Sequence, residues 1–266
     1  MNNIIAMVTP YKKNGKINWN NFNFLINFFL FNKIKIILLL GTTGESHNFN
    51  KIELINLLIF IKKYNLYFLF NINKKNIKCI CYYFYLLKIN FISIVLISLP
   101  CYILPNYLNL YKYYKIINKF GIKNIFYNIP KRNGININYK LFLKFKNKKF
   151  LIYMKNSINN VKNNLIYKNL NIILFSGDDN NIYLCKKNNY YGTISVINNI
   201  FPIIFLKINK KSGFLIKKIN FNINPILIKF FLYKNKLING CFNLLLFDTE
   251  KIFFLPKVRF ELTRFN

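Results

Sequence analysis

The 266 residues, 53% of them hydrophobic, suit one large domain, or one domain with a small appendage, around a sizeable core. A formal charge of +33 would ordinarily point to a polyanion, but the excess lies in scattered Lys with only three Arg, and Lys, Asn, Ile, Phe and Tyr all have codons made only of A and T; coding bias accounts for the charge and no nucleic-acid partner is expected. The longest apolar stretch, Phe91 to Leu104, contains Pro100 and is shorter than the ~20 residues that span a bilayer, so no membrane partner is expected either.

Apolar runs suited to buried strands alternate with amphipathic stretches along the chain. A strand is expected at Asn3–Val8 and a helix at Trp19–Phe31, then a strand at Ile34–Leu40 and a helix at Lys51–Lys63. Next come a strand at Leu66–Asn71 with a helix at Asn76–Lys88, and a strand at Ile92–Ser98 with a helix at Asn106–Lys119. Strands follow at Ile122–Asn128 and Phe150–Lys155, a helix at Asn156–Lys168, and strands at Asn171–Ser176 and Tyr191–Val196. Near-continuous apolar strands separated by helices imply a parallel sheet covered on its faces. Eight such units in about 200 residues fit an α/β fold of the (β/α)8 TIM-barrel type. Helical periodicity returns at Pro225–Leu237 and around Gly240–Phe247, so residues 1–205 are expected to form the barrel and 206–266 a short C-terminal helical appendage. The alternative is a doubly wound open sheet, which would want a GxGxxG loop after a strand; none is present.

The rarer residue types gather in five clusters: Gly41-Thr42-Thr43-Gly44-Glu45, Tyr127 to Gly134, Met154-Lys155-Asn156, Ser176-Gly177-Asp178-Asp179, and Gly192 to Val196. All but the last sit at carboxyl ends of expected strands, which in a barrel converge on the face where active sites are built. Gly41 to Gly44 offers backbone N–H groups and two hydroxyls to a small anion such as a carboxylate, or else is a tight turn with Thr as a cap. Lys155 ends an apolar run in or just above the barrel core, where burial favours the uncharged, nucleophilic amine; the competing reading is a lysine that snorkels to the rim. Tyr127 can carry a proton or simply pack. Arg132 stands on a Pro- and Gly-containing loop above the same rim, and its planar guanidinium suits a carboxylate. His47 is the only histidine, so a His-based triad or metal cage is not expected. Asp178 and Asp179 are read as caps of the following helix, and no metal or cofactor is expected. The five cysteines lack ligand spacing, and Met1 to Ile5 lacks the basic head and cleavage site of a signal peptide, which gives the expectation of reduced thiols in a cytoplasmic protein.

In this order the clusters resemble the pyruvate-dependent class I aldolases, and among them the dihydrodipicolinate synthases. The resemblance is carried by Met7-Val8-Thr9-Pro10, GTTGES (41–46), Pro100-Cys101-Tyr102, YNIPKRNG (127–134), Lys155, SGDD (176–179), GTISV (192–196), Asn224-Pro225 and Lys229. It implies condensation of pyruvate with L-aspartate 4-semialdehyde, in the diaminopimelate route of lysine biosynthesis, by a homotetramer or homodimer. Lys155 would form the imine with pyruvate, while Thr43 and the Ile194 backbone would hold it. Tyr127, Thr42 and Tyr102, the last reaching in from a neighbouring subunit, would relay protons. Arg132 would bind the carboxylate of the semialdehyde, with Gly177 nearby. Imine formation turns the methyl group of pyruvate into an enamine nucleophile, which needs a neutral lysine and proton relays but no metal.

The chain departs from the family pattern at Phe70 to Lys74, where a GTGAN loop is usual, at Lys155 to Ile158, at Cys101, and in the tail Lys257–Asn266. Three rival readings stand. One is another pyruvate-dependent Schiff-base lyase such as an N-acetylneuraminate lyase, which generally lacks an arginine at the position of Arg132. The others are a catalytically decayed barrel, against which the intact site residues argue, and a basic binding module.

Overall fold

In the computed structural model, which describes residues 2–74, 76–99, 106–134, 136–137, 139–143, 151–158, 167, 170, 172–203, 208–210, 213, 216 and 224–239, the apolar runs become eight parallel strands. These are β1 (Asn2–Ala6), β2 (Ile36–Leu39), β3 (Tyr67–Ile72), β4 (Ile94–Ser98), β5 (Lys123–Asn128), β6 (Leu151–Asn156), β7 (Ile173–Ser176) and β8 (Gly192–Ser195), each within two residues of its expected bounds. They close in sequence order, β1 pairing with both β2 and β8, which excludes an open doubly wound sheet. Four long helices separate the first strands: α1 (Trp19–Phe31), α2 (Lys51–Ile61), α3 (Ile77–Ile89) and α4 (Tyr107–Asn118). The shorter α5 (Pro130–Asn133), α6 (Tyr139–Leu143) and α7 (Ile182–Lys187) follow, and α8 (Ile226–Lys234) comes after the barrel.

Asparagine, so abundant in this chain, closes the helices at both ends. The side-chain oxygens of Asn18, Asn50, Asn76 and Asn106 accept from first-turn N–H groups of α1 to α4 at 2.8–3.2 Å. Glu53 reaches back to the Asn50 N–H at 2.9 Å and completes a capping box. At the carboxyl ends of α1, α3, α7 and α8, the amides of Asn32, Asn90, Asn188 and Asn235 donate to the carbonyl four residues earlier at 2.7–2.9 Å.

Period-two alternation sorts the strand side chains into two cores. Ile4, Ala6, Leu38, Leu69, Leu96, Ile125, Tyr127, Phe175 and Ile194 fill the lumen of the barrel. Ile5, Ile37, Phe70, Val95, Phe126 and Met154 point outward into the larger layer between sheet and helices, which Ile228 and Leu232 of α8 also join. Among the described residues no helix is long and apolar enough to cross a membrane.

Two expectations are corrected. Asn156 ends β6 instead of opening a helix, because its amide oxygen accepts from Asn128 on the paired strand at 3.1 Å. The rest of that helix, like the one around Gly240–Phe247 and the tail 257–266, falls largely outside the described residues. Arg132 stands on a turn of helix and not on an irregular loop: Pro130 presets the first helical residue, and Gly134, at φ 69°, closes the turn.

Candidate active site

The turn after β2 is locked from three sides. Leu40 and Glu45, at φ 55° and 54°, are non-glycine residues in the left-handed region, a conformation that persists only where the surroundings impose it. Between them the N–H groups of Gly44 and Glu45 return to the carbonyls of Gly41 and Thr42 at 3.0 and 3.1 Å. Gly44 fits a close approach there: an added Cβ would stand 3.1 Å from the Met7 carbonyl and 3.3 Å from the Leu40 nitrogen. Thr9 Oγ1 donates to the Gly44 carbonyl at 2.7 Å. The Glu45 carboxylate, 1% exposed, forms an ion pair with Lys229 of α8, which is fully buried and sets its ammonium 4.6 Å from the Tyr11 ring centroid. Burial pulls the pKa of Lys229 down and Glu45 pushes it back up; burial, with Glu45 beside it, also raises that of Tyr11. The result is a turn that presents Thr42 and Thr43 to the barrel mouth.

Strand register places the lysine. Tyr153 packs against the lumen and Met154 against the outer layer, so Lys155 points back into the lumen, where it is 6% exposed. Its strand partners are Tyr127 on β5 and Phe175 on β7, and its Nζ lies 4.2 Å from the Tyr127 ring centroid. The same lysine explains Gly177: a Cβ there would sit 2.9 Å from Lys155 Cε and run into Ser157 Oγ. Below the rim Asn128 is fully buried, donating to Asn136 and Asn156 and accepting from the Ile137 N–H at 2.9–3.1 Å, which ties β5 to β6. At the top of β3, Asn71, within the unusual Phe70 to Lys74 stretch, donates to the Leu40 carbonyl at 3.1 Å and accepts from Ser98 at 2.8 Å.

A cleft of about 840 Å³ opens at the carboxyl ends of the strands. It brings together Thr42, Thr43, Tyr127, Arg132, Lys155 and Gly177. Ile194 is not in its wall; its side chain fills the lumen, and the cleft is lined from this side by Val196. Tyr102 lies outside the described residues. His47 is exposed on a 3-10 turn at Ser46–Asn48.

The two adjacent carboxylates do different work. Asp178 caps the next turn, accepting from the Asn180 N–H at 3.0 Å and the Asn181 amide at 3.1 Å. Asp179 instead crosses to the end of β8, where its Oδ2 accepts from the N–H groups of Val196 and Ile197, both at 3.0 Å. The residue as a whole is only half-buried, but its carboxyl is turned inward, and desolvation raises its pKa more than these hydrogen bonds lower it. A carboxyl with a raised folded-state pKa contributes stability that is present at low pH and lost as pH rises through that value. Wild type should therefore gain on Asp179→Asn as the pH falls from about 7 to about 4. Urea midpoints of the two proteins across that range check this, and a pH-independent difference would contradict it.

The model of the dihydrodipicolinate synthetase family matches residues 1–65 and 92–242, most of the chain. The chain belongs to this family. Within it, the 4-hydroxy-tetrahydrodipicolinate synthase of Wigglesworthia glossinidia brevipalpis is 34% identical over 207 residues, 74% of this chain and 68% of that protein. Dihydrodipicolinate synthase from Aquifex aeolicus has the same fold, with a TM-score of 0.81 at 24% identity over 91% of this chain and 90% of that one. So has the enzyme from Acinetobacter baumannii, described as chloride inhibited and complexed with pyruvate, with a TM-score of 0.80 at 21% identity and 91% of each chain covered.

The internal stretch that the dihydrodipicolinate synthetase model leaves out, 66–91, holds β3 and α3 and includes the departure at Phe70 to Lys74. For three residues of the cleft or its frame the sequence assigned no such role, although Asn224 belongs to the Asn224-Pro225 pair and Asp179 to the SGDD run. Ser157 and Asn224 line the cleft, and Asp179 joins β7 to β8. Ser157 is lost among ordinary polar residues, Asn224 is marked only by the Asn224-Pro225 pair, and Asp179 carries the same one-letter signal as the cap beside it.

Proposed function

We propose that this protein is a 4-hydroxy-tetrahydrodipicolinate synthase, condensing pyruvate with L-aspartate 4-semialdehyde. The observation that carries the proposal is a lumen-facing lysine, Lys155, held beside the face of Tyr127 and under a rim of paired threonines and an arginine. Family membership and the names of the relatives support the same reading. Its unprotonated amine attacks the C2 carbonyl of pyruvate, and loss of water leaves an imine. Removal of a methyl proton then gives an enamine whose terminal carbon attacks the aldehyde of the second substrate, and the α-amine of that substrate next displaces the lysine from the imine, closing the ring and freeing Lys155. Thr42 and Tyr127, both in the cleft wall, are assigned the proton transfers of these steps, and Thr43 a hydrogen bond to the pyruvate carboxylate. Arg132, at the outer wall, is assigned the carboxylate of the semialdehyde. Gly177 leaves room for the lysine, and the Ile194 backbone, two residues before the cleft-lining Val196, is assigned with Thr43 to hold pyruvate.

No step requires a metal or cofactor. The working state proposed is a cytoplasmic homotetramer or homodimer in which Tyr102 of a neighbouring subunit completes the proton relay. A neuraminate-type lyase is the less favoured reading because Arg132 is present.

Borohydride reduction in the presence of pyruvate, followed by peptide mass mapping, is expected to leave one adduct, on Lys155. In a separate assay of enzyme not treated with borohydride, aspartate semialdehyde is expected to be consumed with pyruvate in equal amounts. An adduct elsewhere, or none, defeats the proposal.

A further inference from the structure

Asn224 precedes α8, outside the barrel, yet its side chain lies in the cleft wall. Its Nδ2 donates to Thr43 Oγ1 at 3.0 Å, and its own Oδ1 has no partner among the described residues. Five residues on, Lys229 holds Glu45 at the far end of the turn that carries Thr43. The segment therefore grips that turn twice, through a buried ion pair and through one directed hydrogen bond.

The second contact has a chemical consequence. A threonine hydroxyl has one proton and two lone pairs. An amide N–H directed onto Oγ1 occupies one lone pair and cannot accept the proton in return. With that direction taken, the proton of Thr43 is left to point away from Asn224, and Thr43 lines the cleft. We infer that Asn224 is a positioning residue: it orients the Thr43 hydroxyl as a donor toward an anionic group bound over Lys155, the pyruvate carboxylate. This rests on the reading of Thr43 given under Proposed function. It adds that a residue beyond the last strand sets the direction of that hydrogen bond before substrate arrives.

The test is a double-mutant cycle read by the pyruvate concentration that half-saturates borohydride trapping on Lys155. Asn224→Leu, close in shape and unable to donate, is expected to raise that concentration roughly three- to tenfold, the range of one oriented hydrogen bond. In a Thr43→Val background, where no hydroxyl remains to be turned, the same change is expected to add less than about twofold. Asn224→Ala must shift in the same direction and replaces Asn224→Leu should that variant not fold. A shift of equal size in both backgrounds would mean that Asn224 only supports the chain, and would overturn the inference; so would half-saturation within about twofold of wild type for both Asn224 variants. Wild type that traps no pyruvate on Lys155 overturns the reading of the site and this inference with it, whereas normal trapping in wild type with unresponsive Asn224 variants overturns this inference alone.

Discussion

Lys155→Met is expected to lose at least about 10⁴-fold in turnover, the scale on which removing a covalent nucleophile is felt, with no borohydride adduct remaining. Methionine is an unbranched apolar side chain of similar length, and the lumen below it is lined by Ile125, Tyr127, Phe175 and Ile194, so the fold should hold and the urea midpoint should not fall. Lys155→Arg separates nucleophile from charge. A guanidinium puts a permanent positive charge above the lumen and does not form the imine. It is expected to be as inactive as the methionine variant. Arginine activity within about tenfold of wild type would mean that Lys155 acts as an electrostatic clamp, and imine chemistry would have to be abandoned.

The second large effect is on stability. Lys229→Met leaves the Glu45 carboxylate buried without its cation, and removing one partner of such a pair costs about 3–5 kcal/mol. For a chain of this size that corresponds to a fall of roughly 6–20 °C in melting temperature. Glu45→Gln introduced together with Lys229→Met is expected to recover a large part of the loss, because the destabilising element is the orphaned charge and not the missing contact. Calorimetry of wild type, the single variant and the double variant checks both statements. A double variant no more stable than Lys229→Met would show that packing of the lysine stem, and not its charge, holds α8 to the turn.

Much of the architecture is legible in the chain because buried parallel strands need nearly unbroken apolar runs. Ile34 to Leu40 or Ile92 to Ser98 can be little else in an Asn- and Lys-rich background. The rim clusters are legible for a related reason: a Gly at position 44 or 177, or an Arg at 132, resists a coding bias that would replace it. Asn224, by contrast, is marked only by the Asn224-Pro225 pair, and nothing local tells what it touches. Its hydrogen bond to Thr43 spans 181 residues of sequence, and no local pattern records a contact of that range. Asp178 and Asp179 are equally indistinct in sequence: the cap that Asp178 makes is local, but only the approach of β8 to β7 gives Asp179 two backbone N–H groups to hold.

By itself, then, the sequence determined eight buried strands, their order, and which strand ends carry unusual residues, since periodicity and composition are local properties. Closure of the sheet decided the rest. Parallel register put Lys155 level with Tyr127 and turned it inward, and ring closure brought the ends of β2, β5, β6 and β7 around one opening. Packing α8 against the barrel then carried Lys229 and Asn224 to the turn after β2. These are distances between residues far apart in the chain, and only the folded backbone sets them.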